Sequence, residues 1–255
     1  MENSIAWHIG CSGFHYKEWK EAFYPKGLAQ RKWFDYYATH FNTLELNMSF
    51  YRFPQLSTLE GWYQKSPAHF SFSMKAPRLI THYKKFNDTQ TLLADFYGTA
   101  REGLKEKLGP ILFQFPGQFT YNEDKLHQII EQLDRSFTNV LEFRHAGWWR
   151  QDVYQLLAKH KIVFCGMSHP TLPDEAVINT STVYYRFHGT PRLYYSEYDT
   201  AFLNRIKEEI ITAPSVQTAW LYFNNTAALA AIHNAGYLRN QLSPIVTTVQ
   251  GQLFL

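Results

Sequence analysis

Short apolar runs rich in aromatic and β-branched residues alternate along this chain with longer stretches of helical periodicity, the pattern of repeated βα units around a parallel sheet. The runs predict eight strands: Trp7–Cys11, Thr43–Ser49, Phe70–Lys75, Pro110–Phe115, Val140–Arg144, Ile162–Met167, Val183–His188 and Ala219–Asn224. Between them the spacing predicts helices over Gln30–His40, Leu56–Lys65, Leu92–Leu108, Glu123–Leu133, Gln151–Lys159, Ala201–Ile211 and Thr226–Leu242. Leu126, Ile129, Ile130 and Leu133 fall at amphipathic spacing, and Asn122 precedes an acidic first turn as an N-cap. The segment Ser168–Thr182 carries Pro170 and Pro173 and no helical period, so one helix of the eight is expected to be replaced by a loop.

Eight strands in 255 residues fit a single-domain α/β chain folded as a TIM (β/α)8 barrel over residues 1–255. An open doubly wound sheet is the runner-up. Against it, no G-x-G-x-x-G turn follows the first strand, and no phosphate-binding G-x-x-x-x-G-K-[ST] loop occurs, so no nucleotide cofactor is expected.

Each strand divides into two faces, because successive side chains point to opposite sides. Leu44, Leu46 and Met48 oppose Glu45, Asn47 and Ser49; Phe70, Phe72 and Met74 oppose Ser71, Ser73 and Lys75. Leu141 and Phe143 oppose Glu142 and Arg144; Val183, Tyr185 and Phe187 oppose Tyr184, Arg186 and His188. Gln114, Tyr222 and Asn224 continue the second set, and Ser12 belongs to it. The apolar sets must face the helices, so the inward sets become polar toward their C-terminal ends. Barrel interiors usually hold branched aliphatics, and catalytic groups of this fold gather at the C-terminal ends of its strands.

Glu45 and Glu142 against Lys75, Arg144 and Arg186 leave a cationic surplus, which suits an anion, whether phosphate or carboxylate. The competing reading is a structural ion network plugging the barrel. For chemistry, His188 suits proton transfer near neutrality, with Glu142 and Glu45 as partners. Arg144, Arg186 and Lys75 would bind the anion; Asn47, Gln114, Asn224, Tyr51 and Ser12 would orient the ligand. Two-carboxylate glycoside chemistry fits less well, because a neighbouring cation suits each glutamate to be a base rather than an acid. A metal is not expected either: Glu45, Glu142 and His188 are placed for one, but three cations would repel it.

Composition agrees with a compact fold. Aromatic residues reach 17% and charged residues 18%, the latter below the roughly 25% of typical soluble proteins, which excludes disorder. A net charge of +3 is too small to declare a nucleic-acid binder, and Arg101, Glu102, Lys105, Glu106 and Lys107 read as one solvated helix face. Cys11 and Cys165 form no Cys-x-x-Cys pair, and Cys11 falls on the helix-facing set. Gly10-Cys11-Ser12-Gly13 is not a G-x-S-x-G nucleophile elbow. With no positive leader and no apolar run of membrane length, the expectation is a cytoplasmic protein without a membrane partner. Tyr16, Trp19, Phe50, Tyr51, Arg52, His82, His145, Trp148, Trp149, Tyr194 and Tyr195 lie on loops after strands, where they would stack sugars or bases or simply pack the barrel top.

The chain also resembles the YecE-like family, domain of unknown function 72. The resemblance rests on Gly10-Cys11-Ser12-Gly13 with Tyr16, Trp19 and Phe23-Tyr24-Pro25; on Phe41 to Asn47 followed by Phe50-Tyr51-Arg52; and on Lys75-Ala76-Pro77-Arg78 with Ile80-Thr81-His82. Gly109 to Pro116, Glu142-Phe143-Arg144-His145 before Trp148, Tyr185 to Gly189 and Tyr222-Phe223-Asn224-Asn225 complete it. It implies a TIM barrel and a mouth cluster, but the family carries no settled activity to transfer. Phe14 stands where the family commonly has Trp, and Ser168-His169 where many members place Asp. The leading expectation is an enzyme acting without a tightly held metal on a small anionic or phosphorylated molecule, sugar-containing ones included. A nucleic-acid-binding or nucleic-acid-processing protein and a non-catalytic ligand sensor are the alternatives.

Overall fold

The computed structural model describes residues 5–242; the expected single domain over 1–255 extends at both ends beyond them. Eight parallel strands close into a barrel in chain order: β1 (Ala6–Cys11), β2 (Thr43–Leu46), β3 (Ser71–Lys75), β4 (Leu108–Phe115), β5 (Asn139–Phe143), β6 (Val163–Ser168), β7 (Thr182–Phe187) and β8 (Thr218–Phe223). Around them run α1 (Trp33–His40), the single turn α2 (Met48–Tyr51), α3 (Leu56–Lys65), α4 (Gln90–Leu104), α5 (Glu123–Gln132), α6 (Gln151–Lys159), α7 (Thr200–Ile211) and α8 (Ala230–Leu242). The helix between β6 and β7 is absent, as the prolines predict. Asn179 pins the substitute loop, its Oδ1 accepting from Phe164 N at 3.0 Å and its Nδ2 donating to Ile162 O at 2.9 Å.

Two apolar layers result from the alternation. Leu44, Leu46, Phe72, Met74, Phe113, Leu141, Phe143, Tyr185 and Phe187 join the helices in the outer core, and Cys11 lies among them. A smaller cluster of Leu112, Val140, Val163, Cys165, Tyr184, Trp220 and Tyr222 fills the barrel itself. Its floor is aromatic, with Trp220 stacked on His8 at 3.6 Å. The interior is thus plugged by apolar side chains below and polar above, toward the C-terminal mouth.

The seam between β1 and β2 is thin, pairing only Gly10 with Thr43 and Cys11 with Leu44, as short as that between β5 and β6. Side chains close it: Cys11 N donates to Tyr37 Oη at 2.7 Å, and that hydroxyl donates to Thr43 O at 3.0 Å. Only glycine fits at position 10, because a Cβ there would lie 2.2 Å from Thr43 O.

Three expectations need correction. The helix read over 92–108 stops at Leu104, where Lys105 turns to φ +50° and β4 begins at Leu108. Lys107 therefore does not belong to a solvated face: it is buried, its Nζ donating to Tyr63 O, Ser66 O and Ser66 Oγ at 2.7–2.8 Å. β2 ends at Leu46 because Asn47 turns into helical φ and ψ to start α2. Met48 consequently points to solvent and not to the helices, while Ser49 leaves the inward set and donates to Lys75 O at 2.6 Å.

Candidate functional site

β7 carries the centre of the polar layer. Arg186 Nε and Nη2 reach Glu45 Oε1 and Oε2 at 2.9 and 2.7 Å, a bidentate pair, while Nη1 donates to Glu142 Oε2 at 2.6 Å. Glu142 Oε1 then accepts from Arg144 Nε at 2.7 Å, and Glu45 Oε1 accepts from Tyr184 Oη at 2.7 Å. The row reads Glu45, Arg186, Glu142, Arg144 and alternates in sign, so it is neutral as a unit. Glu45 and Glu142 are fully buried and Arg186 nearly so, whereas 17% of the Arg144 side chain remains exposed.

Burial alone would raise both carboxyl groups, but the arginines outweigh it. Arg186 with Ser12 and Tyr184 holds Glu45 below the usual range, and Arg186 with Arg144 holds Glu142 well below it. Neither carries a proton to donate at neutral pH. His188 follows β7, its N–H extending the sheet to Ser168 O at 3.2 Å, and its ring is fully buried rather than open to the mouth. Asn224 Nδ2 lies 3.0 Å from His188 Nδ1, and the other ring nitrogen, Nε2, lies 3.4 Å from Arg144 Nη2 and 3.7 Å from Glu142 Oε1. Burial first, and then Arg144 and Arg186, drive its pKa far below 6.5. The imidazole is neutral.

Lys75, at the end of β3, stands apart from this row. It is 8% exposed, no carboxylate among the described residues lies within ion-pairing distance, and its Nζ sits 4.1 Å from the centroid of the Phe50 ring. Burial, with Arg186 next, lowers its pKa to about 7. Above the row lies a cavity of about 530 Å³, lined by Lys75, Arg144, Arg186, Asn47, Gln114, Asn224 and Tyr51 together with Tyr16, Phe50, His82 and Tyr194. Seven of the eight residues read from sequence as ligand-binding thus share one wall. The eighth, Ser12, lies 3.5 Å from Arg186 Nη2 and lines an adjoining, more apolar pocket of about 410 Å³ with Glu45, Asn47, Tyr16 and Trp62. His188 and Glu142 lie behind the cavity wall and meet it through Asn224 and Arg144.

The loop aromatics divide. Trp19, Trp148 and Trp149 are spent on packing, their indole N–H groups donating to Ala228 O, Phe119 O and Phe143 O. Phe50 and His82 instead face the cavity. His82 is brought there by a π-helical turn over Leu79–Tyr83, and burial followed by Lys75 lowers its pKa to about 4. No alternation rule applies inside such a turn, so sequence marks it as loop only. Both thiols are buried and pushed up by burial, and the described residues contain no cluster of three His, Cys, Asp or Glu able to hold a metal. No helix among the described residues is long and apolar enough to cross a membrane.

A family model described as "Protein of unknown function DUF72" matches residues 8–252. The chain belongs to the DUF72 family. Among its relatives, the UPF0759 protein YunF of Bacillus subtilis is 26% identical over 155 residues, 58% of this chain and 54% of that protein. The UPF0759 protein YecE of Escherichia coli O157:H7 is 24% identical over 180 residues, 60% of this chain and 66% of YecE. The matched stretch is thus under two-thirds of either relative. A DUF72 family crystal structure from Thermotoga maritima superposes with a TM-score of 0.83 at 26% identity, covering 93% of this chain and 99% of that one. A second, from Enterococcus faecalis, gives 0.78 at 17% identity over 97% and 99%, and shows the fold alone. In this DUF72 protein Ser168 lies 3.2 Å from Thr190 through its hydroxyl and accepts His188 N–H through its carbonyl. His169 stands edge-on to His188 with ring centroids 6.2 Å apart.

Proposed function

We propose that this protein is an enzyme that binds a small anionic or phosphorylated molecule, sugar-containing molecules included, in the mouth cavity. One observation carries the reading: the Glu45, Arg186, Glu142, Arg144 row is already neutral, and Lys75 is added to it as a surplus buried cation facing the cavity. An unpaired buried charge is costly, and an anionic ligand is what would offset it. Arg144 offers its outer guanidinium edge and Lys75 its ammonium; Asn47, Gln114, Asn224 and Tyr51 present neutral hydrogen-bonding groups around them. Lys75 is also the cavity group titrating nearest neutrality, so it takes the proton-transfer role that sequence assigns to His188, with Glu142 and Glu45 setting the arginines.

Sulfate, whose charge is constant over the range, tests this by calorimetric titration. The charged groups facing Lys75 are Arg186 on β7, Glu142 and Arg144 at β5 and Glu45 on β2, with His82 after β3 neutral over this range. Lys75 is protonated below about 7, so sulfate should bind roughly tenfold more tightly near pH 6 than near pH 9, the worth of one charge-assisted hydrogen bond. Arg144→Ala, which leaves Glu142 still paired to Arg186, should weaken binding about tenfold or more at either pH. Equal affinity at both pH values and in the variant would remove the site.

A second reading, single-stranded nucleic acid, is favoured by the rim. Met48, Tyr51, Phe53, Leu79, Tyr83, Tyr194 and Tyr195 are exposed on the segments that follow β2, β3 and β7. The Arg78 guanidinium lies within 5.6 Å of the Tyr51 and Tyr83 rings, and that of Arg192 lies 3.9 Å from the Tyr195 ring. It requires oligonucleotide affinity that falls with salt along a slope of several phosphate contacts. A flat salt dependence eliminates it.

A further inference from the structure

We propose that Lys75 is a nucleophile that forms an imine with a carbonyl group carried by the anionic ligand, the substrate class being a 2-oxo acid or a phosphorylated hydroxy-aldehyde or hydroxy-ketone. The proposal rests on the anion-site reading above and assigns its reaction type. Two buried lysines of the same chain, Lys107 and Lys75, are held in contrasting ways. Lys107 Nζ donates to three oxygens, Tyr63 O, Ser66 O and Ser66 Oγ, which is how a structural buried ammonium is satisfied. Among the described residues Lys75 Nζ has no such oxygen and no carboxylate partner; it rests on the Phe50 ring and faces the cavity.

Its position is rigid. The residue closes β3, paired to Leu112 of β4, and its carbonyl is held by Ser49 Oγ. Arg144 lines the same cavity, fixed by Glu142 and with part of its guanidinium exposed there to meet a carboxylate or phosphate. A ligand anchored there would bring its carbonyl carbon toward the amine. Crowding by Arg186 and Arg144, together with burial, is the environment that keeps a lysine available as a free amine. Neither cysteine competes, since both are buried away from this cavity.

The step balances within the pair. Lys75 as the ammonium gives one proton to the carbonyl oxygen, directly or through cavity water. The amine lone pair then forms the C–N bond as the C=O π pair moves to oxygen, giving a carbinolamine. A second nitrogen proton reaches the hydroxyl, the C–O bond breaks, and water leaves. Ammonium and carbonyl thus become iminium and one water, with nothing oxidised or reduced.

Borohydride trapping tests the proposal. The full chain is incubated near neutral pH with pyruvate or glycolaldehyde phosphate, reduced with sodium cyanoborohydride, and analysed by intact mass and peptide mapping. The expected result with at least one probe is one adduct, of the probe's mass less one oxygen, on the Lys75 peptide and about tenfold or more above any other lysine. It should be lost in Lys75→Arg, reduced in Arg144→Ala, and absent with acetone, which lacks the anion. No adduct with either probe, an adduct spread over surface lysines, or one surviving Lys75→Arg would overturn the proposal. Sulfate titration of the same samples separates the two claims: sulfate binding without an adduct sinks imine formation alone, and loss of both sinks the anion site as well.

Discussion

Arg186→Met should abolish the cooperative fold. The substitution leaves Glu45 with no cation of the described residues within ion-pairing distance and Glu142 with Arg144 only, both carboxylates being fully buried. Removing one partner of a buried ion pair costs roughly 3–5 kcal/mol, and Arg186 serves two, against a total stability of about 5–15 kcal/mol for an ordinary domain. Chemical denaturation followed by circular dichroism is the check, and the expected outcome is loss of the unfolding transition or a several-kcal/mol drop. Adding Glu45→Gln and Glu142→Gln should restore much of the loss, since the cost lies in the stranded charges. An Arg186→Met protein within about 1 kcal/mol of wild type would mean that the row is wetter and weaker than its distances indicate.

Lys75→Met should act in the opposite sense and stabilise the protein. Burial lowers the pKa of Lys75 from 10.5 to about 7, so below 7 the folded chain carries an ammonium that the unfolded chain holds more cheaply. Between about 7 and 10.5 the unfolded chain binds more protons, and wild-type stability rises with pH; below 7 the penalty is present in full. At about 1.4 kcal/mol per pH unit, less the lost Phe50 contact, the gain near pH 6 is roughly 2–4 kcal/mol. That corresponds to a melting temperature higher by about 5–10 °C for a chain of this size. The difference should shrink as pH approaches 10. A group whose removal stabilises the fold while removing a cavity charge is held for binding, not for structure.

These two opposite signs could not be read from the sequence, although the residues could. Alternation along β2, β3, β5 and β7 places Glu45, Lys75, Glu142 and Arg186 on one face, because the apolar half of each strand must meet the helices. Which cation meets which carboxylate depends on barrel closure, which brings Glu45 and Arg186, 141 residues apart, into contact. Depth is equally invisible: His188 ends the polar set of its strand as Arg144 does, yet Asn224 and Arg144 cover it. Alternation also fails where the backbone changes type. Asn47 turns into a helix, so Met48 and Ser49 leave the faces that a continued strand would give them. Lys107 looked solvated beside Lys105 and Glu106 because nothing local announces the carbonyls of Tyr63 and Ser66, more than 40 residues earlier, that bury it. The missing helix after β6 was legible, since proline removes the backbone donors a helix needs.

The central claim is that Lys75 is a surplus cation held over a neutral ion row to receive an anion. Thermal unfolding of wild type and Lys75→Met near pH 6, each with and without sulfate, addresses it directly. The account predicts that the variant melts higher than wild type without sulfate, and that sulfate raises the wild-type transition while leaving the variant nearly unmoved. A variant that melts lower than wild type and responds to sulfate equally would contradict it, and would return Lys75 to the structural network.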